Sequence, residues 1–420
     1  MLKQEFNKYY TLLSLYLAQS IPMSFFSTVI PVIMRQEQYS LESIGYLQLM
    51  KLPWIVKFLW APLVDKTSNS SRHYRKWIIS SEIFYAIIII AIGFLNLQTD
   101  FITIVVLMVI AFAASATQDI ASDAFAILIL KEKERSLGNS MQSAGSFIGS
   151  MMGTGVLLVV YHYWGWKLLL ICLGVFVLLA IIPVTLFKNH VNREQVKSRK
   201  NISPFEFVYF FKQKRIAGHL ILLFLFYSGL IGILTMVKPY LVDLGYNIKQ
   251  IGIISGIFGT ACGVIMTLPA GFLIRKRSVT RSIWIFPIIN TLVAIYFFAL
   301  TYTNHQLYLI YIGVALLWSA YAMSSVFVYT LSMKVVRQGR EGTDFTIQIV
   351  LTHLSSLIIA VLSGKIADAI NYRGLFAIEI GLSVLLLILI PFLFKANFYS
   401  TEKRCPFFET GAELPDKTMQ

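Results

Sequence analysis

Charge is what this sequence has least of. Only 14% of its 420 residues are Asp, Glu, Lys or Arg, and 21 acidic residues face 36 basic ones. A soluble domain carries roughly 25% charged residues, so a chain wetted on all sides is excluded. Cysteine is equally sparse. Cys172, Cys262 and Cys405 offer no spacing for a disulfide framework or a thiolate metal site. No G-x-x-x-x-G-K-[ST] loop occurs and no long soluble stretch, so neither direct use of ATP nor a bound cofactor is expected. The loops are too short and basic to build a catalytic face, so the chain is not read as an enzyme. The net charge of +15 suggests anionic partners at first sight. It is better explained by topology, and no nucleic acid is expected.

What fills the sequence is apolar: 57% of residues are hydrophobic. A membrane-crossing helix needs roughly 20 of them in succession. Runs of that kind fall at 9–33, 42–64, 77–97, 101–130, 140–162 and 166–187, then at 218–242, 249–274, 282–302, 306–333, 343–370 and 374–395. The expected architecture is all-α, twelve transmembrane helices in two six-helix bundles. Residues 1–187 form the first bundle, 188–217 a linker, 218–395 the second bundle and 396–420 a tail. Alternate loops, the linker and both termini hold 28 of the 36 Lys and Arg, while the opposite loops hold 4, Arg35, Lys167, Lys249 and Arg373. That asymmetry predicts cytoplasmic termini and a multi-pass protein of the bacterial inner membrane. Span two ends in Trp60-Ala-Pro-Leu-Val-Asp-Lys66 and span eight in Leu268-Pro-Ala-Gly-Phe-Leu-Ile-Arg-Lys-Arg277, a weak internal repeat. Glycines at 145, 149 and 153, and at 252, 256, 259 and 263, predict close helix packing and surfaces able to slide.

Ionisable residues inside such runs cost several kcal/mol and therefore need a reason. Lys51 and Lys57 lie in span two, with Asp65 at its end. Asp119 and Asp123 share one face of span four at i, i+4. Two carboxylates so close can carry a proton between them, or can pair with Lys57, Lys66 or Arg75 as a structural latch. His353 stands near the middle of span eleven, and Gln348, Thr352 and Ser355 form a polar stripe suited to a water-filled cavity. Glu379, shortly past Arg373, reads as interfacial. Tyr16 and Gln19 in span one, Lys51, Tyr227, Trp318, Tyr321, Gln348 and Thr352 are candidate substrate-cavity residues. Lys57, Asp65, Asp119, Asp123 and His353 are candidates for a charge network.

The segments Lys57-Phe-Leu-Trp-Ala-Pro-Leu-Val-Asp65 and Ala116-Thr-Gln-Asp-Ile-Ala-Ser-Asp-Ala124 resemble the AmpG-related permeases of the major facilitator superfamily. Gly342-Thr-Asp-Phe-Thr-Ile-Gln348 and Leu362-Ser-Gly-Lys-Ile-Ala-Asp368 are similar to the same group, so the likeness spans both halves. Ala61 stands where the general facilitator signature has glycine, while Asp65, Lys66, Arg72, Arg75 and Lys76 fit it. The resemblance implies proton-coupled inward transport by alternating access. Muropeptides, siderophores of the rhizobactin or pyochelin kind, and acetyl-CoA-type solutes are the substrate classes it leaves open, and efflux is the opposite-direction alternative. The expected partners are a small-molecule solute, protons and the lipid bilayer, with the protein acting as a monomer.

Overall fold

The computed structural model describes residues 2–31, 34, 50–187, 202–203, 205–303 and 306–394, so Arg35, Cys405 and half of the linker lie outside the described residues. Among these residues the secondary structure is helical. The N-terminal helices are α1 (Leu2–Ser24), α2 (Leu52–Val56), α3 (Ala61–Lys66), α4 (Ser71–Ile92), α5 (Phe101–Ile129), α6 (Arg135–Met151) and α7 (Leu157–Ala180). The C-terminal ones are α8 (Glu206–Phe211), α9 (Ile216–Leu225), α10 (Ser228–Asp243), α11 (Thr260–Leu300), α12 (Leu307–Met333) and α13 (Glu341–Leu393).

Six stretches of described helix are long and apolar enough to cross a bilayer. Two of them, Lys249–Leu300 and Glu341–Leu393, run to 52 and 53 residues. At about 1.5 Å per residue each is more than twice a hydrocarbon core of about 30 Å. Both break where the sequence places a loop. Ser278 adopts φ 65° in α11, and Ile370 and Asn371 (φ 62°) leave helical geometry in α13. Gly165, at φ 70°, does the same in α7 between expected spans five and six. Left-handed backbone cannot continue an α-helix, so these single residues end one hydrogen-bonded run and start another.

Span two departs from expectation. Instead of one helix over 42–64, the described part is α2, a 3₁₀ turn at Lys57–Leu59, and α3. Pro53 and Pro62 begin the two short helices, and a proline lacks the N–H that would carry a continuous helix past it.

Packing follows the apolar faces. One buried core is built from residues between Ile21 and Val177, two others from residues between Phe210 and Ile390. A fourth, from Leu12 to Phe187, takes in Met333, Phe345 and Ile349 and so joins N-terminal to C-terminal helices. The outer surface is apolar as well: Ile102 is 78% exposed, Phe392 71% and Ile265 67%. In water that arrangement would be costly, whereas hydrocarbon solvates it. The chain is a multi-pass membrane protein.

Gly145, Gly149 and Gly153 lie flat against α1. A methyl at Gly145 would meet Leu13 O at 2.8 Å, and one at Gly149 would meet Ser20 Cβ at 2.6 Å. The second glycine series behaves differently. Gly259 faces the Trp318 ring, but Gly252 and Gly256 have open space where a side chain would be, so no helix is pressed against them.

Candidate functional site

The 3₁₀ turn between the two prolines decides where Lys57 goes. It turns the side chain inward until nothing of it is exposed. There the ammonium forms an ion pair with Asp119 and lies 4.6 Å from the centre of the Trp54 ring. An ammonium removed from water needs such partners, and the carboxylate together with the ring face provides them. Gln19 Nε2 donates a further hydrogen bond to Asp119 at 2.8 Å.

Asp123, one turn further along α5, takes a different partner. It accepts a hydrogen bond from the Tyr16 hydroxyl, and that hydroxyl in turn accepts from Gln142 Nε2 at 3.1 Å. Both acids are buried. One lysine therefore faces two carboxylates, with a phenol on the second. Chemically, the set holds one proton in excess of the ion pair: Asp123 can be a carboxylate that accepts from Tyr16 or a carboxylic acid. Tyr329 on α12 stands within electrostatic reach of both acids, and exposed His353 on α13 within reach of Lys57 and Asp119. The N-terminal charges thus meet groups from the C-terminal helices.

Beside them lies an aromatic shelf. Tyr227 packs on Tyr321 with centroids 5.6 Å apart, and Phe147 of α6 meets Tyr321 at 5.9 Å and Trp318 at 6.2 Å. Three rings of the C-terminal helices are joined here by one of the N-terminal helices. Lys51 is half-buried and has no carboxylate partner among the described residues. Gln348 and Thr352 lie elsewhere. Gln348 is buried against His219 Nε2 at 2.6 Å, and the Thr352 hydroxyl bonds to its own helix at Ile349 O, 2.8 Å. Ser355 bonds to Phe224 O. In this conformation Gln348 and Ser355 of the stripe are bonded to α9, and Thr352 to its own helix.

Asp65 is placed at the start of α13. It accepts from the Gly342 and Thr343 backbone N–H groups at 2.9 and 2.7 Å, from the Thr343 hydroxyl at 2.6 Å and from Tyr74 at 2.6 Å. The first N–H groups of a helix lack internal partners and carry its positive end, which is why an acid fits there. Further bonds join the N- and C-terminal helices at this same end: Ser140 to Thr267 O at 2.6 Å, Arg135 to Met333 O at 3.0 Å, Asn139 to Thr330 at 3.1 Å, and the pair Lys334–Glu132. The end of the molecule carrying the basic loops is thereby closed.

The model of the Major Facilitator Superfamily matches residues 12–348. The chain belongs to that superfamily. Among curated relatives of this facilitator, the anhydromuropeptide permease of Escherichia coli K12 is 23% identical over 383 residues, covering 90% of this chain and 78% of its own. The protein named transporter AmpG 3 in Rickettsia typhi is 25% identical over 406 residues, covering 92% and 94%. Solved facilitators share the fold. A bacterial homologue of the iron transporter ferroportin, in an outward-facing state, superposes with a TM-score of 0.69 at 14% identity, covering 92% of this chain and 99% of its own. The fucose:proton symporter of E. coli gives 0.69 at 13%, covering 92% and 98%.

Two acids, Glu82 and Glu206, escaped the sequence reading of this facilitator, and a third, Glu379, has a seat that reading did not foresee. Glu82, in the apolar run of α4, is 2% exposed and accepts from Gln118 at 3.2 Å. The rule applied to Asp119 would have found it. Glu379, read as interfacial, is 2% exposed, because Gly229 and Gly232 on α10 leave a groove for it. Glu206 on α8 receives Arg337 at 2.9 Å and also Arg340, a pairing no local spacing announces.

Proposed function

We propose that the chain is a proton-coupled secondary transporter that imports a bulky organic solute across the bacterial inner membrane, with an anhydromuropeptide as the first candidate solute. The observation that carries this reading is the buried set of Lys57, Asp119 and Asp123, one cation against two acids at the seam of the N- and C-terminal helices. The named substrate of the E. coli relative supports the choice of solute.

In this reading the twelve spans form two six-helix bundles, 1–187 and 218–395, joined by the 188–217 linker, with linker, termini and tail in the cytoplasm. The Asp65 contacts then close the cytoplasmic side, and the solute enters from the opposite side toward Trp318, Tyr321, Tyr227 and Phe147. Rings at this spacing suit stacking against a sugar or aromatic face. Protonation of Asp123 weakens the charge-assisted bond from Tyr16, gives the acid a donor of its own and removes the second negative charge beside Lys57. Contacts of α5 with α1 and α6 change with it, and those helices slide on Gly145, Gly149 and Gly153. His353, across the seam, senses the same charges.

Uptake in right-side-out vesicles tests the reading. Labelled anhydromuropeptide is expected to accumulate when the outside is acidified, and a ferric siderophore is not. Accumulation of the siderophore alone, or extrusion instead of uptake, would overturn the assignment. Topology is checked separately: a cysteine at Lys212 should resist an impermeant thiol reagent in intact cells while one at Tyr302 reacts, and the reverse result would invert the orientation.

A further inference from the structure

The charge network leaves one buried acid unused. Glu379, on the part of α13 beyond its break, is 2% exposed and lies against α10. Two glycines make its seat. A methyl at Gly232 would overlap Glu379 Oε1 and come within 2.7 Å of Ser363 Oγ, and one at Gly229 would overlap Ser383 Oγ. Three oxygen-bearing side chains thus gather in a groove that any larger residue on α10 would fill. Glu379 Oε1 lies against the Gly232 backbone, whereas Glu379 Oε2 and Ser383 Oγ are buried with no hydrogen-bond partner among the described residues.

The surroundings lack a counter-charge. Lys238, Tyr240 and Asp243 on α10 make no ion pair with Glu379 among the described residues, nor do Lys365, Asp368, Tyr372 and Arg373 on α13. An ionised carboxylate would leave Oε2 without a donor in a medium that cannot hydrate it. A carboxylic acid brings its own donor, and the Ser383 hydroxyl one turn along the helix is an acceptor of matching kind. The chemistry of the seat fits the protonated acid.

A cavity lies near this part of α13. It measures 680 Å³, at the far end of α10 and α13, and is lined by Tyr240, Asp243, Asn371, Tyr372, Arg373 and Ala377. Tyr372 donates to exposed Asp243 at 2.5 Å in its wall. Tyr240, also in its wall, lies 5.0 Å from Tyr372 and packs on Phe376 at 5.7 Å, centre to centre. The break at Ile370–Asn371 frees this end of α13 from the rigidity of one continuous helix.

We propose that Glu379, seated on Gly229 and Gly232 near this cavity, is a second proton-binding site of the protein, its part in transport resting on the symport reading above. The carboxylate takes a proton from a hydronium ion, leaving water, and gives it to water on the opposite side once the conformation alternates. No other bond changes.

Infrared difference spectra of the purified protein in nanodiscs, recorded between acid and alkaline buffer without solute, test the site directly. The wild type is expected to show a protonated-carboxyl band that Glu379→Gln removes and Asp123→Asn leaves in place, with one fewer proton released per chain in the Gln variant. In vesicles, a two-proton cycle accumulates solute about 100-fold per pH unit, and a one-proton cycle about tenfold. Glu379→Gln should fall from the first regime toward the second. Unchanged spectra and proton count in Glu379→Gln would overturn the proposal, as would a band that follows sodium at constant pH. If the wild type carries the band but accumulates no solute, the symport reading fails and the proton site stands. Should the Gln variant not fold, an apolar carbodiimide applied to the wild type gives the answer by mass mapping: a modified Glu379 supports the site, and an unmodified one refutes it.

Discussion

Replacing Lys57 by alanine isolates the interaction on which the transport reading depends. The ammonium is fully buried and holds Asp119, itself only 4% exposed, so its loss leaves a carboxylate whose remaining donor is Gln19. One-sided breakage of a buried ion pair costs about 3–5 kcal/mol, and the lost contact with the Trp54 ring adds to it, up to about 2 kcal/mol in a desolvated setting. Asp119→Asn alone exposes the lysine to the same problem from the other side. The double variant removes both charges, and the new side-chain amide still offers an oxygen to Gln19. It should therefore be more stable than the sum of the single losses by about 2–3 kcal/mol, within the range of contacting residues. The folded fraction after graded heating, read by fluorescence-detected gel filtration, gives the cycle. The control is Lys57→Ala with Asp123→Asn, expected to show a smaller coupling because Asp123 is bonded to Tyr16 and meets the lysine only at longer range. Strict additivity with Asp119→Asn, or equal rescue by Asp123→Asn, would refute the pairing and remove the main support for a proton on Asp123.

Asp65→Ala should open the closed end. Each hydrogen bond to a charged group contributes about 1.5–3 kcal/mol, and four donors converge on this carboxylate. A cysteine at buried Ser136 should then react with maleimide at least several-fold faster, and an unchanged rate would place the closure elsewhere. Gly153→Ala should lower the yield of folded protein, since the methyl would overlap Ile21 O and stand 2.8 Å from Ser24 Cβ; a normal yield would show that α1 can move aside. At Glu134 burial opposes ionisation, but the Lys8 ammonium and the Lys131 N–H outweigh it and hold the carboxyl below its ordinary 4.5. A lowered native pKa means stability that is present above 4.5 and lost as pH falls through the native value. Acid should thus erase the difference in melting temperature between wild type and Glu134→Gln, and a gap that persists or widens in acid would contradict the pairing.

The composition alone dictated a membrane protein, because 57% hydrophobic residues with 14% charged ones cannot be wetted. The helix breaks at Gly165, Ser278 and Asn371 were legible too, since polar and basic residues interrupt the apolar runs there. Spacing put Asp119 and Asp123 on one face, and the cost of burying Lys57 required an anion near it. Which anion was not decidable. Asp119 and Asp123 are equivalent on a helical wheel, and only the turn between Pro53 and Pro62, with Tyr16 arriving from α1, sends the lysine to one and a phenol to the other. The partners of Gln348 and Thr352 were hidden for the same reason, since a polar stripe reads alike whether it faces water or His219. Asp65 against Gly342, Glu206 against Arg337 and Glu379 against Gly232 join residues more than a hundred positions apart. Local periodicity tells a helix which of its sides is unusual, but what meets that side depends on how distant segments pack, and that is settled only by the assembled tertiary structure.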